Sequence, residues 1–344
     1  MNPDQLAAIA SALTARGKGL LAADESVSTI GKRFAQCGIE STAETRRDYR
    51  EMLFRSEDAI RRNISGVIVF DETIHQSARD GTPLIKLIEA AGAIPGIKVD
   101  AGAKPLAGHP GETITEGLDG LRERLKDYCA LGARFAKWRA VLSISETIPT
   151  AYAIEANAEV LARYAALCQE ADLVPIVEPE VLMDGAHDLE RCAEVTEYVL
   201  KKVFMQLYEA RVRLEGIVLK PNMIVSGKTC PRQASPEEVA RATLKVLRNC
   251  VPVAVPGIAF LSGGQGDIEA TRNLDAINRL AGPKDAHWPL TFSYGRALQD
   301  AAMSTWAGKP DKAQMAQDAF RRRAGMNGMA AQGLWSDEAE RIAA

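Results

Sequence analysis

Short apolar runs alternate with longer stretches of helical periodicity along almost the whole chain. The short runs are Gly19–Asp24, Ile64–Phe70, Ile94–Asp100, Ala133–Leu142, Val174–Leu182, Glu215–Asn222, Val253–Gly263 and Pro289–Gly295. Their length and bounding residues predict eight strands, each followed by a helical pattern or a loop leading into one. Eight such β–α units predict a parallel sheet. Its closure gives an α/β fold of the (β/α)8 TIM barrel class. Helix-start signals agree. Ser41-Thr42-Ala43-Glu44 reads as a capping box, and Ser235-Pro236-Glu237-Glu238 combines a cap, a first-turn proline and a capping glutamate. Leu6 to Leu13 reads as an amphipathic N-terminal helix, not as a secretion signal. No linker-like shift, low-complexity tract or internal repeat interrupts the pattern. Residues 1–344 are therefore expected to form one domain with an N-terminal helix and a short C-terminal tail.

The polar residues that break this pattern sit at the strand ends. The first strand ends in Asp24-Glu25-Ser26 and the second in Asp71-Glu72. Lys98 and Asp100 lie two apart on the third, Lys137 and Arg139 on the fourth, Glu178 and Glu180 on the fifth; Lys220 ends the sixth. Residues two apart on a strand share a face. In a barrel of this class the C-terminal strand ends carry the chemistry. A single lysine ending an apolar run reads first as a snorkelling side chain. Charged residues facing inward from six successive strands favour a polar active site.

Composition narrows the partners. Hydrophobic residues make up 47% and charged residues 25%, enough for a sizeable core. The net charge of -3 gives no electrostatic case for nucleic acid or an anionic membrane, and no apolar run approaches membrane-spanning length. Cys37, Cys129, Cys168, Cys192, Cys230 and Cys250 show no C-x-x-C spacing and read as free thiols of a reducing, cytoplasmic compartment. His75, His109, His187 and His287 lack metal-ligand spacing, so neither a metal nor another cofactor is expected.

Two lysines crowded together repel, and each is expected to lower the other's pKa. Lys137 beside Lys220 would leave one amine neutral and nucleophilic towards a carbonyl. Glu178 could give and take the protons of imine formation, and Asp24 could accept the hydroxyl proton released on carbon–carbon cleavage. Anion sites are expected at Phe260-Leu261-Ser262-Gly263-Gly264-Gln265-Gly266-Asp267 and Ser293-Tyr294-Gly295-Arg296, after strands seven and eight. Ser26, Thr29, Lys32, Arg33 and Lys98 are candidates for a second anion site across the mouth.

These residues carry a resemblance to the class I, Schiff-base-forming fructose-bisphosphate aldolases. The matching motifs are Leu20-Leu21-Ala22-Ala23-Asp24-Glu25-Ser26, Gly96-Ile97-Lys98-Val99-Asp100, Phe135-Ala136-Lys137-Trp138-Arg139, Val177-Glu178-Pro179-Glu180, Leu219-Lys220-Pro221-Asn222-Met223, Phe260-Leu261-Ser262-Gly263-Gly264-Gln265 and Ser293-Tyr294-Gly295-Arg296-Ala297-Leu298. The resemblance implies a metal-independent homotetramer. It would cleave fructose 1,6-bisphosphate reversibly to dihydroxyacetone phosphate and glyceraldehyde 3-phosphate. Lys220 would form the imine, Glu178 would be the acid/base assisted by Lys137, and Asp24 would join the proton transfer. Ser262, Gly263, Gly295 and Arg296 would hold the imine-proximal phosphate. Ser26, Thr29, Arg33, Lys98, Arg139 and Glu180 would bind the rest of the sugar phosphate. A related lyase preferring fructose 1-phosphate or sedoheptulose 1,7-bisphosphate is the alternative, and a catalytically idle barrel is a third. The chain departs from the family pattern in three places. Ser26-Val27-Ser28-Thr29 lacks a glycine, Ala101 replaces a lysine, and no tyrosine follows Tyr294.

Overall fold

The computed structural model describes residues 2–285 and 287–342. In chain order the strands are β1 (Gly19–Ala23), β2 (Ile64–Val69), β3 (Ile94–Lys98), β4 (Gly102–Pro105), β5 (Thr113–Glu116), β6 (Phe135–Leu142), β7 (Val174–Val181), β8 (Val218–Leu219), β9 (Ile258–Phe260) and β10 (Leu290–Tyr294). All but β4 and β5 close into one barrel, in the order β1-β2-β3-β6-β7-β8-β9-β10 and back to β1. Every barrel pairing is parallel. Helices join the strands, as a parallel sheet requires, because its crossovers must run the length of the barrel.

The period-2 pattern sorts side chains into two layers. Leu20, Ala22, Ile68, Phe135, Val174, Ile176, Val218 and Ala259 pack together inside the barrel. Their sequence neighbours Leu21, Ala23, Val67, Val69, Ala136, Val177 and Leu219 pack outward against the helices. The N-terminal helix Pro3–Leu13 buries Leu6, Ala10 and Leu13 in the interior cluster, and so covers the N-terminal mouth. Phe135 fills the barrel just above it. It lies over Gly96, where a Cβ would sit 2.2 Å from the ring.

Three expectations change. Strand six is only Val218–Leu219, because Leu214–Gly216 winds into a 3-10 turn and Pro221 has no N–H for the ladder. Strand seven shrinks to Ile258–Phe260 behind Pro252 and Pro256. The capping box of helix Ala43–Phe54 starts one residue later than its sequence suggests, at Thr42 with Thr45 as its partner. Ser41 is otherwise engaged: its hydroxyl and carbonyl both accept from Arg46. The second box, Ser235 with Glu238, forms as expected.

One element has no counterpart in the sequence reading. The antiparallel hairpin β4–β5 follows β3 and rides on β6. The Thr113 and Thr115 hydroxyls donate to the Val141 and Arg139 carbonyls at 2.9 and 2.8 Å.

Candidate active site

The barrel interior turns from apolar to charged partway up. Asp24 follows Ala22, Lys137 follows Phe135, Glu178 follows Ile176 and Lys220 follows Val218, each two residues on and on the same inward face. Register does the rest. Val177 pairs with Leu219, so the next residues, Glu178 and Lys220, come level. On the other side Lys137 pairs with Ile176, two residues below Glu178, and its long side chain reaches up to the same layer.

The result is a buried chain of four charges. Asp24 Oδ2 lies 2.7 Å from Lys137 Nζ. Lys137 Nζ is 3.5 Å from Glu178 Oε2, and Glu178 Oε1 is 3.0 Å from Lys220 Nζ. All four residues are buried. Glu178 thus bridges the two lysines.

This geometry corrects the expectation of mutual depression between the lysines. Burial acts to strip the Lys137 ammonium of its proton, but the Asp24 and Glu178 carboxylates outweigh it and hold its pKa above the ordinary lysine range. Burial likewise pushes Asp24 up, yet Lys137 and Lys220 pull it down to about 2. Lys137 is therefore a fixed cation, and Asp24 is a poor proton acceptor while that pair stands.

A second charged layer lies above. Arg139 Nε donates to Glu180 Oε2, and its backbone N–H donates to Asp100 Oδ2 at 3.3 Å. A cavity of about 430 Å³ opens over both layers. Its wall includes Asp24, Thr29, Lys32, Arg33, Lys137, Arg139, Glu178, Glu180, Lys220, Ser262, Gly263, Gly264, Ser293, Gly295 and Arg296.

On the β9–β10 side the cavity offers an anion cradle. Gly263 and Gly264 adopt φ of +59° and +91°, which strongly favours glycine. Helix Arg296–Trp306 starts at Gly295, so the N–H groups of Arg296 and Ala297 precede the first helical bonds and lie at this edge. Arg296 is exposed and has no carboxylate partner among the described residues. Ser293 Oγ, within the expected Ser293-Tyr294-Gly295-Arg296 anion site but given no role of its own there, is buried without a partner among the described residues. Its parity on β10, two residues beyond inward Thr291, was the available signal.

The opposite edge is less complete than expected. Ser26 and Lys98 do not line the cavity. The Ser26 hydroxyl caps helix Val27–Gln36, accepting from the Thr29 N–H at 3.3 Å. The missing glycine leaves no strained loop there, because Val27-Ser28-Thr29 is simply the first helical turn. Lys98 is paired with Asp100 at 3.2 Å and lies 5.9 Å from the Phe70 ring centroid. Arg33 reaches the wall but is already held by Glu25 and, at 2.7 Å, by Asp300. Glu25, which sequence left without a role, ties Arg33 to buried Arg50 and accepts from Gln299 at 3.1 Å. Lys32 is exposed at the wall and has no carboxylate partner among the described residues. Among those residues no cluster of His, Cys, Asp and Glu could hold a metal ion.

Known proteins match nearly the full chain. The family model for fructose-bisphosphate aldolase class-I matches residues 5–344. A probable fructose-bisphosphate aldolase class 1 of Xanthomonas axonopodis pv. citri is 55% identical, over 97% of this chain and 99% of its own. Human fructose-bisphosphate aldolase C is 53% identical, over 98% of this chain and 92% of its own. A solved structure of the Plasmodium falciparum fructose-bisphosphate aldolase superposes with a TM-score of 0.94. It is 46% identical and covers 97% of this chain and 96% of that one. With barrel, lysine pair and full-length similarity in agreement, the chain belongs to the class I fructose-bisphosphate aldolase family.

Proposed function

We propose that this chain reversibly cleaves fructose 1,6-bisphosphate to dihydroxyacetone phosphate and glyceraldehyde 3-phosphate through an imine on Lys220. The observation that carries the reading is Glu178 bridging Lys220 at 3.0 Å and Lys137 at 3.5 Å inside the barrel. Lys220 passes a proton to Glu178, and its free amine attacks the ketose C2. Glu178 returns the proton to the carbinolamine hydroxyl, water leaves, and an iminium forms. The C3–C4 bond then breaks, its electron pair entering the iminium to give an enamine. The C4 hydroxyl loses its proton and the aldehyde departs. Protonation of the enamine carbon and hydrolysis release the ketone phosphate and regenerate the amine.

The Lys137 cation, 3.5 Å from Glu178, is placed to stabilise negative charge developing on the reacting oxygens. Asp24 was expected to take the C4 proton. Its pairing with Lys137 and its pKa of about 2 give it instead the part of holding that cation, and the proton falls to Glu178. Ser262, Gly263, Gly295 and Arg296, joined by Ser293, bind the imine-proximal phosphate. Lys32, Thr29 and Arg33 hold the distal end, and Arg139 and Glu180 the sugar hydroxyls.

Borohydride reduction in the presence of dihydroxyacetone phosphate, followed by peptide mapping, tests the assignment. The label is expected on Lys220 alone, and Lys220→Met should lose label and turnover together, by on the order of a thousandfold or more. Label on Lys137, or undiminished turnover in Lys220→Met, rejects it. The pairing of Arg33 with Glu25 and Asp300 favours a second reading, appreciable use of fructose 1-phosphate. A kcat/KM ratio between the two ketoses above about a thousandfold would exclude that.

We further infer a single-domain, cytoplasmic homotetramer. The six free cysteines support a reducing compartment. Exposed Tyr198, Met205 and Tyr208 on helix Leu189–Glu209 support association. Sedimentation at micromolar concentration reads the oligomeric state, and a monomer would overturn it. No helix among the described residues is long and apolar enough to cross a membrane.

A further inference from the structure

The loop after β7 and the loop after β8 are fastened to each other beside the glycine-rich turn after β9. Gly227 N–H donates to the His187 carbonyl at 2.8 Å, Lys228 N–H to Met183 at 2.8 Å, and Thr229 N–H to Gly185 at 3.0 Å. The strands of backbone cross so closely that a Cβ on Gly227 would sit 2.3 Å from the Gly185 carbonyl oxygen. This fastening fixes the Lys228 backbone and aims its side chain at the glycine-rich turn after β9. Lys228 Nζ lies 2.9 Å, and Arg296 Nη2 3.5 Å, from the point a Cβ would occupy on Gly264. Two cations from loops far apart in sequence therefore flank one glycine of the anion cradle.

Like charges this close repel unless something negative stands between or beside them. Arg296 has no carboxylate partner among the described residues. Among those residues Lys228 pairs only with Asp184, at 3.0 Å, and the two side chains are 44% and 65% exposed, an arrangement that binds weakly in water. Gly264 leaves the space between the cations open, where any side chain would fill it.

We propose that Lys228 is a specificity-determining residue for the imine-proximal phosphate. It supplies a second cation beside Arg296, and Asp184 holds it in place while the site is empty. This rests on the phosphate assignment made above for Ser262, Gly263, Gly295 and Arg296. The ligand chemistry is a phosphate dianion, which gains more than a monoanion from a second cation.

The test is steady-state kinetics on the full chain with fructose 1,6-bisphosphate, together with competitive inhibition by inorganic phosphate. Lys228→Met should raise KM and the phosphate inhibition constant about five- to tenfold, with kcat little changed. Lys228→Arg should restore most of both. Asp184→Asn separates binding from scaffolding. If Lys228 serves the phosphate, removing its competitor leaves KM unchanged or lowers it. If Lys228 only pins the two loops through Asp184, both variants weaken binding alike, and the proposal is overturned. It is equally overturned by a Lys228→Met enzyme with unaltered KM and inhibition constant. Arg296→Ala reads the underlying assignment separately. Loss of phosphate affinity there with none in Lys228→Met sinks only this inference. No loss in Arg296→Ala sinks the cradle assignment itself.

Discussion

Asp24 shows how a neighbour decides what a side chain can do. Its place on the inward face was legible from parity alone. Its charge state was not, because that depends on Lys137 reaching it across the barrel from a strand more than a hundred residues later. With its pKa lowered to about 2, Asp24 is charged throughout the neutral range. A carboxylate lowered in this way contributes stability above the unfolded carboxylate pKa, near 4, and loses it as the pH falls towards 2. The contribution is about 2 kcal/mol. Denaturant unfolding of the wild type should therefore show stability falling across that window, with a shallower slope in Asp24→Asn. In kcat/KM against pH, Asp24 should produce no limb above about pH 5. A near-neutral acid limb that disappears in Asp24→Asn would mean that Asp24 is the base after all. The lysine pair carries the same lesson. The sequence showed two amines converging, and repulsion between them was the natural inference. The Asp24 and Glu178 carboxylates reverse the sign for Lys137.

Elements with strong local signals were readable, and those held by distant partners were not. All eight barrel strands lie within the apolar runs, since strand length and β-branched content are local properties. The shortened β8 and β9 follow from the prolines flanking them. The β4–β5 hairpin is different. Gly102–Pro105 and Thr113–Glu116 carry no apolar alternation of their own, and β6 carbonyls secure them through Thr113 and Thr115. The loops that present Lys228 lie some forty positions apart in sequence, so their fastening had no local trace. Packing within the barrel is as exacting. Gly96→Ala would drive a methyl into the Phe135 ring, already 2.2 Å from that point. We expect a loss of about 1–3 kcal/mol, read as a lower urea midpoint at unchanged m-value. A variant as stable as the parent would mean that Phe135 can swing aside.

At the scale of the whole molecule, the two terminal segments brace the barrel from outside its chemistry. The helix Pro3–Leu13 covers the N-terminal mouth. Near the other end, Trp335 donates through its backbone to Asp275 and through its ring to Glu340, which also pairs with Arg323. The sequence announced neither role, because each consists of contacts with elements remote along the chain. With the lower mouth stoppered by Leu6, Ala10 and Leu13, the reactive chamber is a cul-de-sac. Everything that goes in must come back out through the same doorway. When a ketose is cut in two there, one fragment is still bonded to the floor and the other is free. Traffic through a single doorway then has an order built into it. The aldehyde leaves first, and its tethered sibling waits for water or for a replacement aldehyde, so cleavage and condensation share the one entrance.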